Sequence, residues 1–163
     1  AAIDAVKAAG GRVSYDTNLR LGLWSLEEAR ATIHDTMMRC DIALPGLDDA
    51  SQLTGLNTPD DIADFYLGLD VSVVALTLGA KGTLVATSEA RELISSFPVQ
   101  AVDATAAGDT FDGAFLAELL AGSSPFEAAR YANAAAALST TGYGAVAPIP
   151  IREQVTAFLE SYA

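Results

Sequence analysis

Apolar positions along this chain follow two periods in turn, and their alternation predicts its elements. The strongest signal is Val71-Ser-Val-Val-Ala-Leu-Thr77, a near-continuous β-branched and aliphatic run. Such a run suits a strand covered on both faces, so it predicts the centre of a parallel sheet. Shorter strand patterns stand at 12–16, before the polar loop Thr17-Asn18-Leu19-Arg20, and at 41–44, before Pro45-Gly46. Ile3 and Val6 have helical spacing and stop at Gly10-Gly11. Ser25 and Glu28 have capping-box spacing and open a helix through Ala29, Ile33 and Met37. Asp48-Asp49 opens a short helix that ends near Gly55, and Thr58-Pro59 starts another. Residues 83–87 and 91–96 predict a hairpin after the turn Gly79-Ala80-Lys81-Gly82.

Three more helices follow. One runs to Leu120 and is closed by Gly122, and the next starts at Ser124-Pro125-Phe126-Glu127 with N-cap, N1 proline and capping-box glutamate. Its alanines, from 128 to 137, allow very close packing or a flat apolar face. The last carries Ile151, Val155, Phe158, Leu159 and Tyr162 as an amphipathic stripe. The β-α-β alternation predicts an α/β protein, a three-layer αβα doubly wound and mostly parallel sheet, as one domain over 1–163 with a single core.

Composition narrows the function. With 163 residues and 51% of them apolar, the chain is long enough to bury a core. Nine Lys and Arg against 21 Asp and Glu give a formal charge of -12, which argues against nucleic acid or an anionic membrane as partner. An anionic ligand must be held by local donors, which screening over about 8 Å allows. Cys40 is alone, excludes an internal disulfide and reads as a small buried hydrophobe. No apolar run reaches about 18 residues and no signal-peptide pattern opens the chain, so the reading is a cytoplasmic protein.

The candidate chemistry lies in Val102-Asp103-Ala104-Thr105-Ala106-Ala107-Gly108-Asp109-Thr110-Phe111-Asp112-Gly113. A small-residue loop runs into a helix whose first N–H groups have no partner within it, which makes an anion site. Asp109 would repel a bound phosphate, so its place there points to chemistry: phosphoryl transfer, with Asp109 accepting the acceptor hydroxyl's proton and the N–H groups of 106–109 cradling the phosphate. The plainer alternative is an aspartate that caps its helix. Thr77-Leu78-Gly79-Ala80-Lys81-Gly82 is either a glycine hairpin turn or a nucleotide contact, and no Walker P-loop pattern occurs. Arg20 is either a surface charge or a bidentate holder of a carboxylate or phosphate. Asp48 and Asp49 read as helix-start charges before metal ligands. His34 carries no assigned role, and Trp24 reads as packing.

These residues resemble the ribokinase-like family of carbohydrate kinases, in particular its 2-keto-3-deoxygluconate kinase branch. Residues 103–114 are similar to the signature D-x-T-G-A-G-D-x-F-x-G-A, Asp16 to Trp24 to D-x-N-x-R-x-x-L-W, and Thr77 to Gly82 to the nucleotide loop T-x-G-x-x-G. Ala132-Asn133-Ala134 and Gly142-Tyr143-Gly144 resemble the adenine-side helix and the loop after it. The resemblance implies that Asp109 is the catalytic base and that Ala106, Ala107 and Gly108 form the anion hole. It places Thr77, Gly79, Gly82 and Asn133 along ATP and Arg20 at the sugar acid's carboxylate. It implies ATP and Mg2+ as cofactors and admits a monovalent cation. Two departures stand out. Ala106 replaces the customary glycine, which is harmless at negative φ and strained at positive φ. Gly46-Leu47-Asp48-Asp49 replaces N-x-x-E, which weakens Asp49 as a metal-ordering residue.

The resemblance also implies an N-terminal half, with lid and most sugar contacts, that these residues do not include. The expectation is the ATP-side half of such a kinase, inactive or weakly active alone, with an uncovered sheet edge that favours homo-oligomers. A nucleotide-binding module without catalysis and a bare α/β interaction domain are the competing classes. Ribose, fructose and nucleosides are the competing acceptors.

Overall fold

In the computed structural model, which describes residues 1–162, the predicted elements appear in the predicted order. They are α1 (Ala2–Ala8), β1 (Ser14–Asp16), α2 (Leu26–Met37), β2 (Ile42–Leu44), α3 (Leu47–Thr54), α4 (Pro59–Leu67), β3 (Val73–Thr77), a single 3-10 turn at Gly79–Lys81, β4 (Thr83–Ala86), β5 (Arg91–Ile94), α5 (Ala107–Ala121), α6 (Pro125–Ser139) and α7 (Arg152–Glu160).

The five strands lie in the order β1-β2-β3-β4-β5, so the apolar run at 71–77 supplies the central strand. β1, β2 and β3 are parallel, with Ser14 opposite Ile42 and Ile42 opposite Val73. The links on either side of β4 are too short for a crossover, which makes β4 antiparallel to both neighbours. Thr87 N–H closes the second link on Ala90 O at 2.9 Å. All strands but β4 therefore point one way, an α/β sheet that is mostly parallel.

Backbone contacts divide the chain into two compact units, Ala1–Leu78 with Leu84–Glu92, and Gly79–Thr83 with the residues from Leu93 onward. The first contains β1 to β3 and α1 to α4. Its main core packs Met37, Cys40, Ile62, Tyr66, Val74 and Leu76, and a second cluster joins Leu19, Ala29, Ile33 and Leu53 beneath Trp24. Its helices start where the sequence marks them. Ser25 and Glu28 exchange both capping-box bonds, and Thr58 accepts from Asp61 N–H ahead of Pro59. One cap is not written in the local sequence: Arg30 donates to Leu53 O at 2.6 Å and to Gln52 O at 2.7 Å, covering the C-terminus of α3.

The second unit is helical. Ser124 and Glu127 cap α6 as predicted, and Ala128, Ala129, Ala132, Ala134 and Ala135 are buried, so the alanine face packs closely. Val155 of α7 inserts beside Ala134 and Ala135, while Phe97, Phe158 and Tyr162 form a ring cluster with centroids 5.1–5.5 Å apart. Of the α7 stripe, Ile151 and Tyr162 are exposed. Among the described residues no helix is long and apolar enough to cross a membrane.

Candidate active site

The small-residue loop and its helix fall wholly within the second unit. α5 begins at Ala107 behind Ala106, and no side chain caps it. Asp109 stands in the first turn, exposed and without a hydrogen bond or ion pair among the described residues. The plain capping alternative for Asp109 therefore fails, because the N-cap position is Ala106.

The backbone donors are sorted by the turn that precedes the helix. Ala107 N–H donates to Ala104 O at 3.2 Å, and the first helical bond runs from Thr110 N–H to Ala106 O at 2.9 Å. The N–H groups of Ala106, Gly108 and Asp109 have no protein acceptor among the described residues. Two of the three residues expected as an anion hole, Ala106 and Gly108, thus keep a free donor. Ala107 does not, and Asp109 N–H takes its place.

Ala106 adopts φ 59° and ψ 19°, the left-handed region in which a Cβ crowds the backbone. The other non-glycine residues at positive φ are Asn18 and Asp70, types whose short polar side chains tolerate it. The condition under which alanine would be harmless is not met.

Asp103 holds the loop. Its Oδ1 accepts from Thr105 N–H at 2.9 Å and Thr105 Oγ1–H at 2.6 Å, and its Oδ2 accepts from Gly144 N–H at 2.9 Å. The Thr105 hydroxyl first, then the two amides, lower its carboxyl from 3.8 to about 2. The sequence shows Asp103 only as a second aspartate in the motif. The signal for its role, an aspartate two residues before a threonine, is an Asx-turn pattern.

The two glycines of the turn Gly79-Ala80-Lys81-Gly82 have different surroundings. Gly79 is at φ +59° with open space where a Cβ would be. Gly82 is at φ +106°, and a Cβ there would meet Ile94 O at 2.0 Å, so its hydrogen faces backbone. Asn133 faces inward in this structure. It is buried, with Oδ1 accepting from Thr83 Oγ1–H at 2.8 Å and Nδ2–H donating to Ile94 O at 2.9 Å. These bonds tie α6 to the 94–95 segment.

Arg20, Asp49 and Thr77 belong to the first unit. Arg20 is exposed, and its guanidinium donates to Leu19 O at 2.9 Å. The loop that carries it is fixed by Asp49, whose Oδ2 accepts from Leu19 N–H at 2.8 Å, and by Asp16, whose Oδ1 accepts from Asn18 N–H at 3.0 Å. Asp49 thus has a structural task at Leu19 N–H, and no group of three or more His, Cys, Asp or Glu suited to a metal occurs among the described residues. Thr17, beside them, is buried with an unpaired hydroxyl that the sequence does not single out. Thr77 N–H donates to Pro45 O at 3.0 Å.

Residues 1–152 match the pfkB family carbohydrate kinase pattern. The chain belongs to the pfkB family of carbohydrate kinases. It is 42% identical over 125 residues to the ribokinase of Haemophilus influenzae, covering 74% of this chain and 41% of that protein. To the 2-dehydro-3-deoxygluconokinase of Bacillus subtilis it is 33% identical over 158 residues, 96% of this chain and 49% of that protein. Among solved structures, the fructokinase of Vibrio cholerae O395 with fructose, ADP and calcium ion superposes with a TM-score of 0.90 at 33% identity, covering 97% of this chain and 54% of the other. The aminoimidazole riboside kinase of Salmonella enterica, complexed with aminoimidazole riboside and an ATP analog, has a TM-score of 0.89 at 30% identity, covering 97% and 55%. The chain spans about half the length of the curated relatives it matches.

Proposed function

We propose that this chain forms the ATP side of a carbohydrate kinase that moves the γ-phosphoryl group of ATP to a sugar hydroxyl. The observation that carries this reading is the start of α5. Free N–H groups at Ala106, Gly108 and Asp109 occur in the same first turn as an exposed carboxylate, Asp109, that has no partner among the described residues. Donors held in place suit the charge that spreads over a phosphoryl group in transfer, and a free carboxylate beside them suits a base. Asp109 would accept the proton of the attacking hydroxyl as its oxygen bonds to the γ-phosphorus and the bond from that phosphorus to the bridging oxygen breaks, releasing ADP, and the amides would bind the equatorial oxygens. Open space at Gly79 leaves its turn accessible to the nucleotide. Mg2+ bound to ATP supplies neutralisation of phosphate charge, and it takes phosphate oxygens and waters with only one or two carboxylates. Asp49, held through Oδ2 by Leu19 N–H, keeps its Oδ1 for such a role.

The acceptor assigned is 2-keto-3-deoxygluconate. It rests on Arg20 alone, since the relatives are named for ribose, fructose and the keto acid alike. By itself the chain is expected to bind ATP and to phosphorylate sugar little or not at all, because Arg20 is its single assigned acceptor contact. A nucleotide-binding module without catalysis is the second reading, favoured by the strained backbone at Ala106.

Calorimetric titration of this chain with ATP and Mg2+ tests the nucleotide site, and no heat of binding would refute it. In the protein that carries this chain, Asp109→Asn should lower kcat by about 100-fold or more, the scale of a lost general base, with ATP binding retained. Ordinary turnover by that variant would remove Asp109 from the mechanism. ATP binding without any turnover by the parent would leave the non-catalytic module.

A further inference from the structure

We propose that Asp103 and Thr110 are positioning residues that hold Ala106 in its left-handed conformation and thereby preset the donors and the carboxylate at the start of α5. This inference rests on the nucleotide reading above and adds two residues to it. A left-handed alanine persists only where its surroundings over-determine it. Here they act from both sides. On the N-terminal side, Asp103 Oδ1 takes both the amide and the hydroxyl of Thr105, the residue before Ala106. On the C-terminal side, Ala106 O accepts from Thr110 N–H at 2.9 Å and again from Thr110 Oγ1–H at 2.9 Å.

Thr110 is buried and cannot swing its hydroxyl to solvent. Asp103 is itself anchored through Oδ2 to Gly144 N–H, so the clasp reaches 41 residues along the chain within the same unit. The consequence is directional. Gly108 and Asp109 lie two and three residues after Ala106, in the first turn of the helix it leads, so their free N–H groups keep their aim only while Ala106 keeps its φ. With glycine at 106 the left-handed region carries no Cβ penalty, and the clasp becomes less necessary. A contact that only stabilised the fold would lose the same amount in either background.

The test is a pair of double-mutant cycles in this chain, Asp103→Asn with Ala106→Gly and Thr110→Val with Ala106→Gly, read both as thermal midpoint and as affinity for ATP with Mg2+. Asn at 103 keeps an acceptor for Thr105 but turns an NH2 donor towards Gly144 N–H, and Val at 110 removes the hydroxyl at nearly constant shape. Ala106→Gly alone should raise Tm by about 2–4 °C. Asp103→Asn and Thr110→Val should each lower Tm and weaken ATP binding about fivefold to tenfold in the parent, the scale of a lost hydrogen bond or two. In the glycine background both losses should fall to less than half. Equal loss of ATP affinity in the two backgrounds overturns the proposal, as does no loss in the parent. If the parent takes up no ATP, the nucleotide reading fails, and the Tm cycles judge the clasp: a loss that shrinks with glycine supports it, and an equal loss overturns it.

Discussion

Gly79 and Gly82 end one turn at positive φ and need glycine for different reasons. At Gly79 the demand is conformational alone, since nothing lies within 4 Å of the Cβ position. Alanine there should cost about 1 kcal/mol, a fall in Tm of about 2–4 °C. At Gly82 the same φ penalty is joined by Ile94 O at 2.0 Å, Ser96 N at 2.7 Å and Ser95 C at 2.8 Å. None of these backbone atoms can rotate away, so Gly82→Ala should lose at least twice as much stability in chemical denaturation. Equal losses at the two positions would contradict the packing described here. At this scale the sequence was half legible. Asp109 and the glycines are visible as a motif, because their types are rare in that order. Asn133's inward turn is not, since Thr83 and Ile94 lie 50 and 39 residues away along the chain. The sign of φ at Ala106 is invisible too, since alanine ordinarily avoids positive φ.

Element boundaries were the most legible level, because caps are local. Ser25 with Glu28 and Ser124 with Glu127 form the boxes their spacing predicts, and the run at 71–77 becomes the central strand. Contacts between elements were not legible, and His34 is the example. It sits on α2 with its ring 4.9 Å from Phe65 and 6.4 Å from Tyr66, both on α4, and its buried Nε2 has no partner. Burial first, and then the nearby Arg30 charge, lower its pKa below the ordinary 6.5. The neutral ring is therefore the form the fold prefers. Its contribution is complete above the unfolded value of about 6.5 and is lost as pH falls through the lower folded value. Thermal midpoints taken between pH 7.5 and 5 should fall in the parent. In His34→Leu, which keeps an apolar side chain against Phe65, the fall should be smaller. Identical pH profiles would show that protonation of His34 does not load the α2–α4 contact.

For the whole molecule, the formal charge of -12 makes the nine cations informative, and five of them, Arg12, Arg20, Arg30, Lys81 and Arg130, have no ion pair among the described residues. Lys7 pairs with Asp41, Arg39 with Asp4, Arg91 with Asp60 and Asp64, and Arg152 with Glu118. Arg30 covers carbonyls at the end of α3 and Arg130 lies over the Phe97 ring. Arg20 donates to the carbonyl of its neighbour Leu19 and has no ion pair among the described residues, on a loop whose amides Asp16 and Asp49 hold. An exposed guanidinium that gives one N–H group to a carbonyl keeps its other donors for a carboxylate, and losing one such charged pair costs roughly 1.5–3 kcal/mol, or about 10- to 100-fold. In the protein that carries this chain, Arg20→Met should therefore raise KM for 2-keto-3-deoxygluconate by about that factor, while KM for ATP stays within about twofold. A panel of ribose, fructose and the keto acid completes the argument, because the neutral sugars offer Arg20 no carboxylate and should respond little. An Arg20→Met variant that leaves the keto acid's KM unchanged would transfer the acceptor to a neutral sugar, and Arg20 would then be only a solvated charge at the end of β1.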